Sequence, residues 1–539
     1  MLHYLLQQSL CKNSNGYYRQ CHLEHFDDTY EPSDTVLRHG QSLCDLETCK
    51  LSMSQPNIIL LVMDTARAST VSKMLSDGHL PNIKKIAREG SKFDKCLTTG
   101  PWTLPSHASM FTGEYTSDHN SHAGNKNFSP DGTVLAEYAR KKGYQTIAYS
   151  NNTWVSPEFG FDTGFDEFLV RWEVSNDSID LSSIEKADSN RERLKLLVEK
   201  VKEDPKNSIL NFFYALYLNF YHQNDSGAKR TNERLANYLD SDDFSSPFFL
   251  FVNYVEPHLP YDPPSKFKHR FGVESGSEEV NQDPWRYLSG DVEMQDSEFK
   301  TLESLYKAEL AYLDERLGEL FDHLRSVGEY EDSVIIITGD HGENIGDYGF
   351  MDHQFCLYDS LINVPLICRH PDYFPQNMSF DGLVELRDIF PTILELLEVD
   401  IESTPDHTSS NSLLFPDETS YSRDYVIAEY LEPQPSQEAL SEYTVSTDND
   451  LSQYDRALRC IRTESWKYLE GSDGTESLFD LTKPNGESVD VSKDNSDVIS
   501  ELRNKIKSKQ GPLVRNPGDD NQEMREDTKQ RLEDLGYLQ

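Results

Sequence analysis

The chain is 539 residues long and sets 51 Lys plus Arg against 93 Asp plus Glu, a formal net charge of −42. Such a length holds roughly two to four domain-sized units, or one large α/β core with an appendage. With 37% hydrophobic and 11% aromatic residues the chain can bury a core, which excludes global disorder. The acid excess excludes a nucleic-acid binder and a protein docked on anionic lipid, because no basic stripe offsets the repulsion from phosphates.

The acidic residues run along the whole chain rather than one tail. This points to a salt-adapted protein from a halophilic archaeon, in whose cytoplasm self-repulsion is screened, rather than a mesophile with an acidic surface. No apolar run reaches the ~18 residues that cross a bilayer, so no transmembrane segment is expected. The start, Met1-Leu2-His3-Tyr4-Leu5-Leu6, lacks the basic and long apolar regions of a secretory signal. Of eight cysteines, Cys11, Cys21, Cys44 and Cys49 fall early, without paired zinc-type spacing, and Cys96, Cys356, Cys368 and Cys460 are scattered. A cytoplasmic, reduced protein is the expectation.

Residues 1–52 are polar, show no sustained period and read as a poorly structured N-terminal extension. The character changes at Asn57, where Ile58-Ile59-Leu60-Leu61-Val62-Met63 is a short, branched, wholly apolar run of the kind that forms a parallel strand buried on both faces. A helix is expected over 80–89, another over 134–142, and a strand over 146–149. Residues of about 170–240 read as a charged helical insertion. Strands follow at 247–252 and 334–338, separated by leucines at helical spacing from Leu302 to Leu324. The alternation predicts an α/β fold: a large, mostly parallel sheet sandwiched by helices, with the site at the carboxyl ends of its strands. The catalytic domain is placed at 53–410. A small C-terminal α+β subdomain, probed by the strand signals at 426–430 and 466–469, and a linker over 507–523 complete 411–523, with a terminal helix or tail at 524–539.

Three strand ends deliver polar groups: Asp64 after the first, Glu256-Pro257-His258 after the third, and Asp340-His341-Gly342-Glu343 after the fourth. Any one Asp there could merely cap a helix. Together, oxygen and imidazole donors suit one divalent cation, and these donor types do not choose among Mn²⁺, Mg²⁺, Ca²⁺ and Zn²⁺. A fourth block, Gly100-Pro101-Trp102-Thr103-Leu104-Pro105-Ser106-His107, sets Thr103 just before a Pro suited to a first helical turn. A hydroxyl at a helix N-terminus meets free amides that attract an oxyanion, and a metal on the same oxygen would make it nucleophilic.

These blocks resemble a sulfatase-type member of the alkaline phosphatase superfamily, from about Asn57 to Leu538. The likeness also rests on Gly160-Phe161-Asp162-Thr163-Gly164-Phe165-Asp166, Pro257-His258-Leu259-Pro260-Tyr261, Asp314 within a long helical stretch, and Val364-Pro365-Leu366. It implies that Asp64, Asp340 and His341, with Thr103, hold one divalent metal and that Thr103 is the nucleophile. It implies that His258 protonates the leaving group, that His353 meets the substrate oxyanion, and that Arg67 and His107 contact the ester.

The departures are as informative. Sulfatases carry Cys or Ser, oxidised to formylglycine, where this chain has Thr103; a threonine β-carbon carries a methyl group and cannot give that aldehyde. No formylglycine is therefore expected. His107 replaces the Arg that supports the aldehyde hydrate, and Thr65 replaces a second Asp. The set resembles the Thr-nucleophile relatives that transfer phosphoglycerol or phosphoethanolamine. The expected activity is metal-dependent hydrolysis of a sulfate or phosphate ester of a small molecule, saccharide or lipid through Thr103. The alternatives are a transferase of that kind and an inactive metal-containing binding protein.

Overall fold

The computed structural model describes residues 10–12, 18–20, 55–172, 227–274, 280–399, 411–414, 423–436, 451–484, 486–515 and 524–534. Most of the expected insertion and of the N-terminal extension, together with 516–523 of the expected linker, lies outside the described residues. The chain divides into two compact units, Met1–Met53 and Ser54–Gln539. In the first, Leu10–Lys12 pairs antiparallel with Tyr18–Gln20.

The second unit is built on an eight-stranded sheet. Its strands in chain order are β1 (Asn57–Met63), β2 (Ser91–Leu97), β3 (Gln145–Ser150), β4 (Glu167–Val170), β5 (Phe248–Tyr254), β6 (Ser333–Gly339), β7 (Asn363–Arg369) and β8 (Met378–Glu385). The spatial order is β8-β2-β7-β6-β1-β5-β3-β4. Every neighbouring pair is parallel except the two made by β7, which runs against both β2 and β6. Pro365 lies within β7 and has no N–H for the ladder; the register against β2 shifts at that point.

All seven residues of β1 are buried, and alternation divides them between the two faces. Ile58, Leu60 and Val62 join one apolar cluster, while Ile59, Leu61 and Met63 join the other. The second cluster is covered by α1 (Ala68–Asp77), α2 (Pro81–Glu89) and the 32-residue helix α5 (Asp296–Val327). The first is covered by α3 (Thr103–Thr112) and, after α4 (Ala228–Leu239) and α5, by α6 (Ile389–Leu396). A capping box from Gln295 and Glu298 starts α5, and Gly328, at φ 88, ends it where a side chain would be strained.

The mostly parallel sheet expected from the alternation is therefore present. The sequence reading passed over β2, β4, β8 and α1, whose apolar residues are interrupted by Lys, Asp, Glu and Ser. A four-stranded antiparallel sheet follows, formed by β9 (Val426–Tyr430), β10 (Leu458–Arg462), β11 (Trp466–Gly471) and β12 (Glu476–Asp480). One face of it packs on α7 (Ser496–Gln510) through Ile427, Ile461, Tyr468, Ile499 and Leu502. Helix α7 runs four residues, 507–510, into the segment expected to be linker. A last helix, Glu526–Asp534, lies within the expected terminal tail.

Candidate active site

The parallel register fixes which strand ends meet. Met63 pairs with Gly339 on one side and Tyr254 on the other, and Ser150 pairs with Asn253. Asp64, Asp340, the Val255–His258 turn and Asn152 thus emerge at one edge of the sheet. Thr103, the first residue of α3, reaches the same edge from the loop after β2.

There the Thr103 hydroxyl sits 3.3 Å from His341 Nε2 and 3.3 Å from the Asn152 amide. Asn152 Nδ2 also donates to Asp64 Oδ2 at 2.5 Å. His341 Nδ1 lies 2.9 Å from the Gly342 carbonyl, to which it donates, leaving the Nε2 lone pair toward Thr103 Oγ1. Asp340 Oδ1 accepts from the amides of Thr65 and His341, and Ser106 Oγ donates to the Asp340 carbonyl, tying α3 to the end of β6.

Ligand atoms of Asp64, Asp340 and His341 lie within 4.8 Å of one another, and all three residues are fully buried. Asp64 Oδ1 and Asp340 Oδ2 accept no hydrogen bond. Two buried carboxylate oxygens without donors, beside an imidazole whose other nitrogen is anchored on a carbonyl, are the donor set and outer support of a cation site. The residues therefore fit a divalent metal. Without one, burial and then the facing Asp340 push Asp64 well above the usual carboxylate range. Burial likewise raises Asp340, with His107 offsetting part of the effect. His341 is pushed well down by burial and then by His353.

The other expected residues gather around this group. The ring of His353 is 4.5 Å, centroid to centroid, from that of His341 and 5.3 Å from that of His258. Burial lowers both His258 and His353 to about 3, so both rings are neutral at pH 7 in this state. His258 Nδ1 contacts the Leu259 carbonyl. His107 has both ring nitrogens engaged, with the Thr103 carbonyl at 2.9 Å and the Asn253 amide at 3.0 Å. Arg67 is clamped by a bidentate pair with Asp347, both bonds at 3.0 Å, and its Nε is without a partner.

Asn152 escaped the sequence reading, although its place two residues beyond a strand end was the available signal. Glu343 was quoted inside a motif but given no role, and Asp352 was given none either, since no local spacing shows that a hairpin folds one against the other.

The description "Sulfatase" matches residues 56–399, and "N-sulphoglucosamine sulphohydrolase, C-terminal" matches 346–511. The chain belongs to the sulfatase family. This places it in the alkaline phosphatase superfamily and makes it an ester hydrolase by class. An arylsulfatase of Clostridium perfringens is 24% identical over 455 residues, which are 80% of this chain and 88% of the relative. Arylsulfatase K of Bos taurus is 24% identical over 474 residues, 84% and 81% of the two chains. Among solved structures, a phosphonate monoester hydrolase from Silicibacter pomeroyi superposes with a TM-score of 0.62 at 20% identity, covering 86% of this chain and 96% of its own. A 2-O GAG sulfatase superposes at 0.59 and 16% identity, covering 84% and 91%. The sulfatase likeness expected from the motifs and the sandwiched sheet are both confirmed.

Proposed function

We propose that this sulfatase-family protein is a metal-dependent hydrolase of sulfate or phosphate monoesters that works through a Thr103 nucleophile and without formylglycine. The observation that carries the reading is the placement of the Thr103 hydroxyl between Asn152 and His341, at the N-terminus of α3 and beside two buried carboxylates that each keep one oxygen without a donor.

Asp64, Asp340, His341 and Thr103 would hold the metal. When bound it supplies Lewis-acid chemistry, lowering the pKa of the hydroxyl and offsetting the charge of the ester. Thr103 Oγ1, its proton released to water, attacks sulfur or phosphorus in line, a new Oγ1–S or Oγ1–P bond forms, and the bond to the leaving alcohol breaks. Asn152 fixes the hydroxyl, and the free amides at the start of α3 meet the developing oxyanion charge. His258 supplies the proton to the leaving oxygen; its neutral resting ring gains that proton as the anionic ester arrives. His353 lies next to the same oxygens. Water then cleaves the Thr103 adduct and regenerates the hydroxyl. His107, with both nitrogens used, acts by holding the first turn of α3, while Arg67 meets the ester through Nε.

The names of the relatives support small aryl esters and sulfated saccharides as substrates; one related structure holds D-Glucosamine-2-N, 6-O-disulfate. The acid excess supports a salt-adapted archaeal host. Cys96, Cys356, Cys368 and Cys460 are buried free thiols, in keeping with a cytoplasmic setting. Among the described residues no helix is long and apolar enough to cross a membrane.

The test is turnover of an aryl sulfate and an aryl phosphate by the wild type and by Thr103→Ala, each loaded with Mn²⁺, Mg²⁺, Ca²⁺ or Zn²⁺ in high salt. The variant should lose at least about 10⁴-fold in kcat while keeping its fold. Mass spectrometry of quenched wild type should find the adduct on Thr103. Full activity in Thr103→Ala would sink the reading.

A further inference from the structure

A second group of metal-ligand side chains lies beside the first. Glu343 follows Asp340 by three residues. The chain then makes a hairpin in which Asn344–Ile345 pairs with Met351–Asp352, setting Asp352 opposite Asn344. That pairing returns Asp352 and His353 to Glu343. Ligand atoms of the three lie within 4.8 Å of one another; Glu343 Oε1 is 3.9 Å from His353 Nδ1, which Asp352 also contacts.

All three residues are buried, Glu343 completely. Neither Glu343 oxygen accepts a hydrogen bond, so a fully enclosed carboxylate faces the cluster without a donor. Arg67 is the nearby cation, but its two terminal nitrogens are committed to Asp347. Two buried acids brought together with no committed cation would be strongly unfavourable as an end in itself. They are the arrangement a bound cation resolves.

We propose that Glu343, Asp352 and His353 form a second divalent-cation site adjoining Asp64, Asp340 and His341. Two carboxylates and one imidazole suit a borderline cation such as Zn²⁺ or Mn²⁺. The 4.5 Å approach of the His341 and His353 rings, one from each set, makes the sites neighbours, and His258 lies next to the second. A cation there would place positive charge beside the group assigned to the leaving oxygen, where a single-metal centre has only neutral imidazoles. The inference does not depend on which residue is the nucleophile.

The experiment counts ions on the full chain. Protein stripped with a chelator is dialysed to equilibrium against Mn²⁺, bound metal is quantified, and the electron paramagnetic resonance spectrum is recorded. The wild type should bind two equivalents and show a spin-coupled spectrum. Glu343→Gln should bind one and show the spectrum of an isolated ion, with an unchanged circular dichroism spectrum; Asp352→Asn serves if that variant does not fold. One equivalent in the wild type, or two retained in Glu343→Gln, overturns the proposal. Asp64→Asn separates the two readings: if it keeps two equivalents while Glu343→Gln loses one, the first metal set is wrong and the second stands.

Discussion

Two carboxylates end strands of the same sheet, and both are completely buried, yet their surroundings are opposite. Glu385, at the end of β8, accepts from Arg387 Nε at 2.8 Å, Arg423 at 2.5 Å, the Tyr115 hydroxyl at 2.8 Å and the Ile427 amide at 3.1 Å. Burial pushes it up, but Arg387 and Arg423 more than reverse this and hold it below its ordinary value. Asp64, at the end of β1, has one donor, Asn152, and no cation, and is held well above its ordinary value. Burial is common to both, so partners make the difference. A satisfied buried acid fastens elements together, here β8 to β9 and to the turn after α3. An unsatisfied one stores a demand that a ligand can meet.

The comparison predicts opposite responses to the same chemical change. Glu385→Gln keeps the shape but takes from Arg387 and Arg423 the carboxylate that both pair with, so buried positive charge loses compensation. It should cost about 3–5 kcal/mol of folding stability, read as a drop in the urea midpoint at constant slope. A loss under 1 kcal/mol would mean that water reaches the two guanidiniums and that the contrast with Asp64 is one of access rather than pairing.

A second satisfied cluster gives a smaller, pH-dependent effect. Asp359 accepts from Lys467 at 2.9 Å and from Arg462 at 3.1 Å, and these cations outweigh burial to bring it from 3.8 down to about 2. A depressed carboxyl contributes stability that is complete above about 3.8 and is lost as pH falls through about 2, amounting to about 2 kcal/mol. Glu487, across Lys467, is raised from 4.5, so its opposing contribution lies at higher pH. Urea midpoints between pH 2 and pH 4 should therefore fall more steeply in the wild type than in Asp359→Asn. Parallel curves would remove Asp359 from the satisfied class.

This distinction also marks what was legible in the sequence. The strand ends at Asp64, Asp340 and His258 could be read because apolar runs and the helix-start signal at Thr103 are local patterns. The register Met63–Gly339 that joins two of those ends is not local, and neither is the hairpin that returns Asp352 and His353 to Glu343. Arg67 and His107 were legible as polar residues near the site. Their commitments to Asp347 and Asn253, 280 and 146 residues away, arise only from the tertiary fold. Strand β2, Ser-Lys-Phe-Asp-Lys-Cys-Leu, was missed because its polar residues obscure the apolar signal, although it lies between two other strands.

The smallest predicted effect is the most discriminating, because its sign changes with metal. In the stripped chain at neutral pH, Asp64→Asn removes one of two facing buried charges, while the new side-chain oxygen can still accept from Asn152. It should gain stability, because burial and then the facing Asp340 both disfavour the charge on Asp64. With Mn²⁺ well above its dissociation constant, the wild type gains binding free energy that the variant lacks, so the wild type should then be the more stable. Thermal midpoints with chelator and with Mn²⁺ should therefore cross. A variant less stable in both conditions would show that Asp64 is held by partners after all, as Glu385 is, and the unsatisfied oxygen would no longer argue for a cation.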